Sequence, residues 1–125
     1  MNKTFIAFVF LSIAFYYLCM DNNPQLVFLT KRIQNIGNIS KNTVFTKEYK
    51  FINSGKNTLI IEDIYKSCSC TNIKLSSNEV HPNGEGILLI TVDTTAKIGD
   101  QEIVVHLIAN TKEKDHVIRI LFFVP

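Results

Sequence analysis

The sequence predicts an all-β fold, an antiparallel β-sandwich of about seven strands behind an apolar N-terminal signal or anchor helix. Three observations carry the prediction. Beyond the N-terminal segment the apolar residues fall in short, β-branched or aromatic runs, separated at intervals of about 8–12 residues by turn signals of Gly, Asn, Asp and Pro. From Phe45 to Asn53 the chain alternates, with Phe45, Tyr49 and Phe51 on one side and Thr46, Glu48 and Lys50 on the other, the period of a half-buried strand. No window of the body longer than one turn keeps the roughly 3.6-residue period of an amphipathic helix.

The N-terminal segment stands apart. Lys3 is its one charge before an uncharged run from Phe5 to Leu18, and Asp21, Asn22, Asn23 and Pro24 then turn the chain polar. That is the layout of a secretory signal, with an apolar stretch short for a bilayer span. An all-apolar helix needs burial on every side, which a domain of about 100 residues can hardly supply. Residues 1–20 are therefore read as a signal peptide or N-terminal membrane anchor, and residues 26–125 as one domain. Cys19, directly after the apolar run, suggests lipidation as in bacterial lipoproteins. The bulky Leu18 departs from the small residue favoured before the cleavage point, so an uncleaved anchor stands as the alternative, with anchor-free secretion behind both. Each route places the domain outside the cytoplasm, in the cell envelope.

The body reads in order as follows. Leu26 to Leu29 is a short first strand, and Asn35-Ile36-Gly37-Asn38-Ile39-Ser40 is a turn or crossing segment. The alternating strand to Asn53 ends in Asn53-Ser54-Gly55-Lys56-Asn57, a turn in which Gly55 is free to take positive φ. Thr58 to Tyr65 is apolar on both faces in its first half, which suits a central or well-covered strand. Asn72 to Leu75 is a short strand and Ser76 to Glu79 a polar connection. Pro82-Asn83-Gly84-Glu85-Gly86 is a second turn, with Pro82 fixing φ and Gly84 or Gly86 relieving strain. Ile87 to Asp93, Glu102 to Ala109 and His116 to Val124 complete the strands, joined by a loop over residues 94–100 and a charged hairpin loop over residues 110–115.

Charge excludes one class of function. Thirteen basic against eleven acidic residues give a net charge of +2, and the lysines are scattered through turns. Nucleic-acid binding needs clustered cations to displace counterions, so no nucleic-acid partner is expected. Asp63, Asp93 and Glu102 are isolated by spacing, no nucleophile triad or phosphate loop is present, and His81, His106 and His116 read as partly exposed surface residues. The expectation is a protein that is not an enzyme.

Several short motifs in fixed order resemble the bacterial domain-of-unknown-function family 1573. They are Tyr49-Lys50-Phe51-Ile52-Asn53-Ser54-Gly55, Leu59-Ile60-Ile61, Ser67-Cys68-Ser69-Cys70-Thr71, Pro82-Asn83-Gly84-Glu85-Gly86 and Gly99, set against F-x-F-x-N-x-G-x-x-x-L-x-I, S-C-G-C-T and P-G-x-x-G. Asn35-Ile36-Gly37-Asn38-Ile39 also looks like the family's Phe-Gly-x-Ile element. The similarity covers roughly residues 26 to 124. Ser69 replaces the family's glycine between the cysteines, so positive φ is not indispensable there, and Asn83 intervenes between Pro82 and Gly84. The resemblance implies an immunoglobulin-like fold and an exported envelope protein, often a lipoprotein. It marks Asn53, Gly55, Cys68, Cys70, Thr71, Pro82 and Gly84 as family positions without assigning them a chemistry.

Cys68 and Cys70 are the residues with the most chemistry to offer. In an extended strand both would project from one face with Cα atoms about 6.5–7 Å apart, at or beyond the upper edge of disulfide geometry. A disulfide therefore needs a bend at Ser69. Three readings stand side by side: a structural pair, buried or disulfide-bonded; a Cu(I) site on two thiolates with a third ligand from His81 or elsewhere; and a thiol–disulfide exchange pair, for which neither a Cys-x-x-Cys motif nor a helix N-terminus is visible. Thr71 reads as a strand residue whose hydroxyl caps nearby backbone, and Asn53 as a turn residue bonding nearby backbone. The expected role is a non-enzymatic envelope interaction or structural module without a cofactor. Its expected partner is another envelope protein or a glycan, with membrane contact through the N-terminal segment.

Overall fold

Strand periodicity becomes two packed sheets in the structure, a computed structural model that describes residues 3–18 and 22–125. Residues 3–18 form α1 (Lys3–Leu18), and no described helix is long and apolar enough to cross a membrane. Cys19 lies outside the described residues.

One sheet has four strands in the order β1 (Leu26–Phe28), β3 (Val44–Asn53), β7 (Glu85–Asp93), β5 (Thr71–Leu75). The other has five, in the order β2 (Ile33–Asn38), β9 (Asp115–Val124), β8 (Gly99–Ala109), β4 (Leu59–Lys66), β6 (Glu79–Val80). All described pairings are antiparallel except β2 with β9, which is parallel. The fold is the all-β sandwich expected, and its strands β1, β3, β4, β5, β7, β8 and β9 are the seven read from the sequence.

The two others correct that reading. The Asn35 to Ser40 stretch, read as a turn or crossing, is instead largely strand β2, laid along β9 from Ile33 opposite Arg119 to Asn38 opposite Phe123, with a register shift after Asn35. Its Asn and Gly content gives no strand signal of its own, and the neighbour supplies the hydrogen bonds. Likewise β6 is a two-residue strand inside a polar connection, pairing Val80 with Leu59. Between β3 and β4 the turn makes no hairpin, because the strands belong to different sheets and the chain crosses the sandwich there.

Inward positions alternate with outward ones, most regularly on β7, where Gly86, Leu88, Ile90 and Val92 are buried and Ile87, Leu89 and Thr91 are half-buried on the outer face. Ile103, Val105, Leu107, Ile118, Ile120 and Phe122 face them from the five-stranded sheet. Burial of such side chains stabilises the fold by about 1.5–3 kcal/mol each. Ile60 is the exception to the reading of β4 as covered on both faces, being 37% exposed on the outer side.

Tyr49 is the one polar misfit in this layer. It is fully buried, its hydroxyl has no hydrogen-bond partner among the described residues, and burial pushes its phenol up to about 12. Tyr49→Phe removes a desolvated hydroxyl and leaves the ring in place. The expected result is a protein equally stable or stabilised by up to about 1 kcal/mol, read from urea unfolding midpoints; a loss larger than that would reveal a partner for the hydroxyl.

Candidate functional site

The family positions come together at two corners, held apart by the length of β7. Asn53 and the Pro82–Gly84 turn sit where β3 and β7 pair Ile52 with Glu85, whereas Thr71 pairs with Val92 at the far end of β7. The seven rises from Glu85 to Val92, at ~3.3 Å each, separate the two corners by roughly 23 Å, so these residues do not make one site.

The first corner is built on a buried amide. Asn53 is fully buried and its side chain makes four hydrogen bonds: Oδ1 accepts from Gln25 N (3.2 Å) and Gly55 N (3.0 Å), and Nδ2 donates to Asn57 O (2.7 Å) and Val80 O (3.0 Å). Its backbone carbonyl accepts from Asn83 N (2.8 Å) and its backbone N–H donates to Gly84 O (3.1 Å). One residue thus ties the lead-in to β1, the crossing turn and the end of β6 together, a wider reach than the turn role expected of it. Gly55 is also corrected. Its φ is not positive; a Cβ there would lie 2.6 Å from Gln25 N and Pro24 Cα, so the glycine is needed for close backbone approach. In the second turn the left-handed residue is Asn83 (φ 64°), beside Pro82, and neither Gly84 nor Gly86 has positive φ. The four side-chain hydrogen bonds of Asn53 at this corner all go to backbone groups, an architectural role.

The second corner carries the sulfurs. After Lys66 the chain leaves the five-stranded sheet, bends over residues 67–70 and enters β5 in the other sheet. Both feet of the bend are pinned. Ser67 N donates to Val104 O and Ser67 Oγ accepts from Val104 N, each at 2.9 Å, while Cys70 O accepts from Asp93 N at 3.0 Å. Thr71 N reaches back to Cys68 O (3.2 Å), closing a turn that brings the two Cα atoms to 5.1 Å, inside disulfide range. Ser69 makes this turn without positive φ. The sulfurs of Cys68 and Cys70 are bonded to each other and half-buried against the core.

The surroundings of the two sulfurs differ. Cys68 Sγ receives the Lys97 ammonium at 3.2 Å and the Cys70 N–H at 3.1 Å, whereas Cys70 Sγ has the Thr71 hydroxyl at 3.6 Å. Thr71 therefore turns its hydroxyl to sulfur and not to backbone as expected, and its carbonyl accepts from Lys66 Nζ. Lys97 is delivered by an anchored loop. Thr94, fully buried, sets its hydroxyl 2.8 Å from Ser40 O and 3.0 Å from Thr43 O and accepts from Thr43 N at 2.8 Å. Thr94 O then accepts from Lys97 N at 3.0 Å, with Ala96 in the left-handed region at φ 63°. Lys97 lies 27 residues beyond Cys70 in a loop of ordinary composition, and no local signal in the sequence points to it.

A Cu(I) site at Cys68 and Cys70 has two requirements, reduced sulfurs and a third ligand. Bonded sulfurs are not thiolates, so ligation needs the reduced pair. His81, named as a third ligand from sequence, follows Val80 beside Leu59, at the other end of the eight-residue β4 and roughly 25 Å from the bend. No group of three or more His, Cys, Asp or Glu that could hold a metal occurs among the described residues. The remaining histidines serve structural pairs: His106 Nδ1 meets Asp115 at 2.9 Å, and His116 Nε2 meets the Thr111 hydroxyl at 2.8 Å. Burial, with Arg32 adding to it, holds His116 below its usual range.

Two packed sheets with a crossing at each corner and a bridged bend between β4 and β5 define the chain as a β-sandwich. Residues 27–124 match the family described as Protein of unknown function (DUF1573), and the chain belongs to it. No curated protein matches the chain at a significant level. Among solved structures it is similar to a protein of unknown function from Porphyromonas gingivalis W83, with 12% identity, TM-score 0.72, and coverage of 86% of this chain and 50% of that one. It is also similar to the secreted serine protease VesC from Vibrio cholerae (7% identity, TM-score 0.60, 87% of this chain and 24% of that one). The VesB protease of the same organism gives 15% identity and TM-score 0.62, over 79% of this chain and 32% of that one. The chain thus spans half the Porphyromonas protein or less than a third of either protease, and at these identities the likeness is one of fold.

Proposed function

We propose that this protein is a non-enzymatic interaction module of the bacterial cell envelope that takes an extended segment of another envelope protein onto the edge of β5. The free edge of β5 carries the reading. Among the described residues β5 pairs with β7 alone. Cys70 O and Ser76 N bond to β7, so by the alternation of an antiparallel ladder the N–H and C=O groups of Ile73 and Leu75 turn to the open side. Beside them lies a cleft of about 360 Å³ lined by Leu75, Ile87, Leu89, Lys74 and Ser76, suited to an apolar side chain of an added strand. Export is supported by the charge at Lys3, the uncharged run from Phe5 to Leu18 and the polar residues from Asp21 onward.

A photo-reactive residue at Lys74 tests the edge in intact cells, with one at Lys112 in the β8–β9 loop as comparison. The expected result is a single cross-linked envelope protein from position 74 only, lost on Ile73→Pro, which removes an outward N–H and leaves the bonds to β7. Equal cross-linking at both positions, or none at 74, would sink the edge reading. Mass spectrometry of the mature N terminus tests the export route: lipidated Cys19 marks a lipoprotein and an intact segment from Met1 an anchor, while an unmodified full chain in the cytoplasmic fraction would overturn it.

A further inference from the structure

We propose that Cys68–Cys70 is a thiol–disulfide exchange site polarised by Lys97, in which a dithiol attacks Cys70 and Cys68 departs as the thiolate. The inference goes beyond the edge-binding role and does not depend on it.

The bond contributes little as a staple. A cross-link stabilises by removing loop entropy from the unfolded chain, and the gain grows with the loop closed; this one closes over a single intervening residue. The bend is in any case pinned by Ser67 to Val104 and by Cys70 to Asp93 through backbone bonds that do not need the disulfide. What the arrangement does supply is a place for negative charge. A neutral disulfide sulfur is a weak acceptor and gains little from an ammonium, whereas a thiolate gains a charge-assisted bond from it. Cys68 Sγ has both Lys97 Nζ at 3.2 Å and the Cys70 N–H at 3.1 Å; Cys70 Sγ has one hydroxyl at 3.6 Å. Exchange proceeds with the better-stabilised thiolate as leaving group, which assigns departure to Cys68 and attack to Cys70.

The step balances with a dithiol as the only co-reactant. One donor thiolate forms a bond to Cys70 Sγ while the Cys68–Cys70 bond breaks and its electron pair passes to Cys68, which pairs with Lys97. The donor's second thiol loses its proton and attacks the donor sulfur of the mixed disulfide. That closes the donor disulfide and expels Cys70, which takes up one proton; the other goes to solvent. The donor is oxidised by two electrons and the cysteine pair reduced by two. Because the feet of the bend stay anchored, the freed sulfurs remain adjacent for the reverse reaction. Lys97 acts here as a positioning and charge-stabilising residue that forms no covalent bond.

The test uses the oxidised full chain and dithiothreitol at one fixed pH, with iodoacetamide quenching and mass spectrometry of the alkylated pair. Lys97→Met is expected to slow reduction roughly five- to tenfold, and Lys97→Arg, which keeps the cation, to stay within about twofold of wild type. Equal rates for wild type and Lys97→Met would overturn the proposal. A second measurement needs no variant. With 2-mercaptoethanol as monothiol and iodoacetamide present, the trapped wild-type species should carry the mercaptoethanol adduct on Cys70 and the alkyl group on Cys68. The reverse assignment, or an even mixture, would overturn it.

Discussion

Asn53→Ala is expected to lower stability by about 3–5 kcal/mol, a large share of the roughly 5–15 kcal/mol that holds a domain of this size folded. The substitution removes both ends of an amide that serves four backbone groups: Gln25 N, Gly55 N, Asn57 O and Val80 O. The side chain is fully buried, so water cannot readily replace it, and the cost is that of leaving donors and acceptors desolvated and unpaired. Asn53→Asp sharpens the test. A carboxylate can still accept from Gln25 and Gly55, but it turns acceptor oxygens toward the Asn57 and Val80 carbonyls in a buried position, so it should be no better than alanine. Urea unfolding followed by far-ultraviolet circular dichroism measures both. An alanine variant within about 1 kcal/mol of wild type, or an aspartate variant close to wild type, would show that the corner is held by something other than this amide.

Gly86→Ala should cost about 3 kcal/mol for the addition of one methyl group. Gly86 lies directly across from Phe51 in the β3–β7 ladder, and a Cβ at residue 86 would overlap the Phe51 ring, with even the third-nearest ring atom at 2.9 Å. Relief by movement is closed off. Phe51 is fully buried, and Phe28 packs against it edge-on with centroids 6.1 Å apart. A double-mutant cycle with Phe51→Leu isolates the contact. Phe51→Leu is destabilising by itself, but in that background Gly86→Ala should lose at least half of its cost because the ring it strikes is gone. Additive costs would mean that Gly86 is required for some other reason. Gly86, at the start of β7, is thus a seat for an aromatic ring on the neighbouring strand and not the residue that relieves strain in the turn.

That difference shows what is legible along the chain. Alternation from Phe45 to Phe51 identified β3 and its buried face, because side chains in a strand point alternately to opposite sides whatever lies next to them. The apolar runs at β7, β8 and β9 were readable for the same reason. By contrast β2 was hidden. Its Asn35, Gly37 and Asn38 are turn formers, and only the free edge of β9 makes them a strand. Gly55 reads as a turn residue free to take positive φ, and its role is close approach to Pro24 and Gln25, about thirty residues earlier. The bend at Ser69 was seen as the condition for a disulfide, whereas the cation that distinguishes Cys68 from Cys70 was not seen at all.

Class of fold, family and the bend that the two cysteines require are legible along the chain, since each rests on local period, turn chemistry or motif order. Which residues share a corner is set by the packing of the two sheets. It separated Asn53, Pro82 and Gly84 from the cysteines by the length of β7, placed His81 far from them, and set Lys97 against Cys68. The physical reason is that a sandwich joins positions through strand pairing and sheet crossing. Those operations bring residues together from any separation along the chain and leave no mark in the spacing of the sequence.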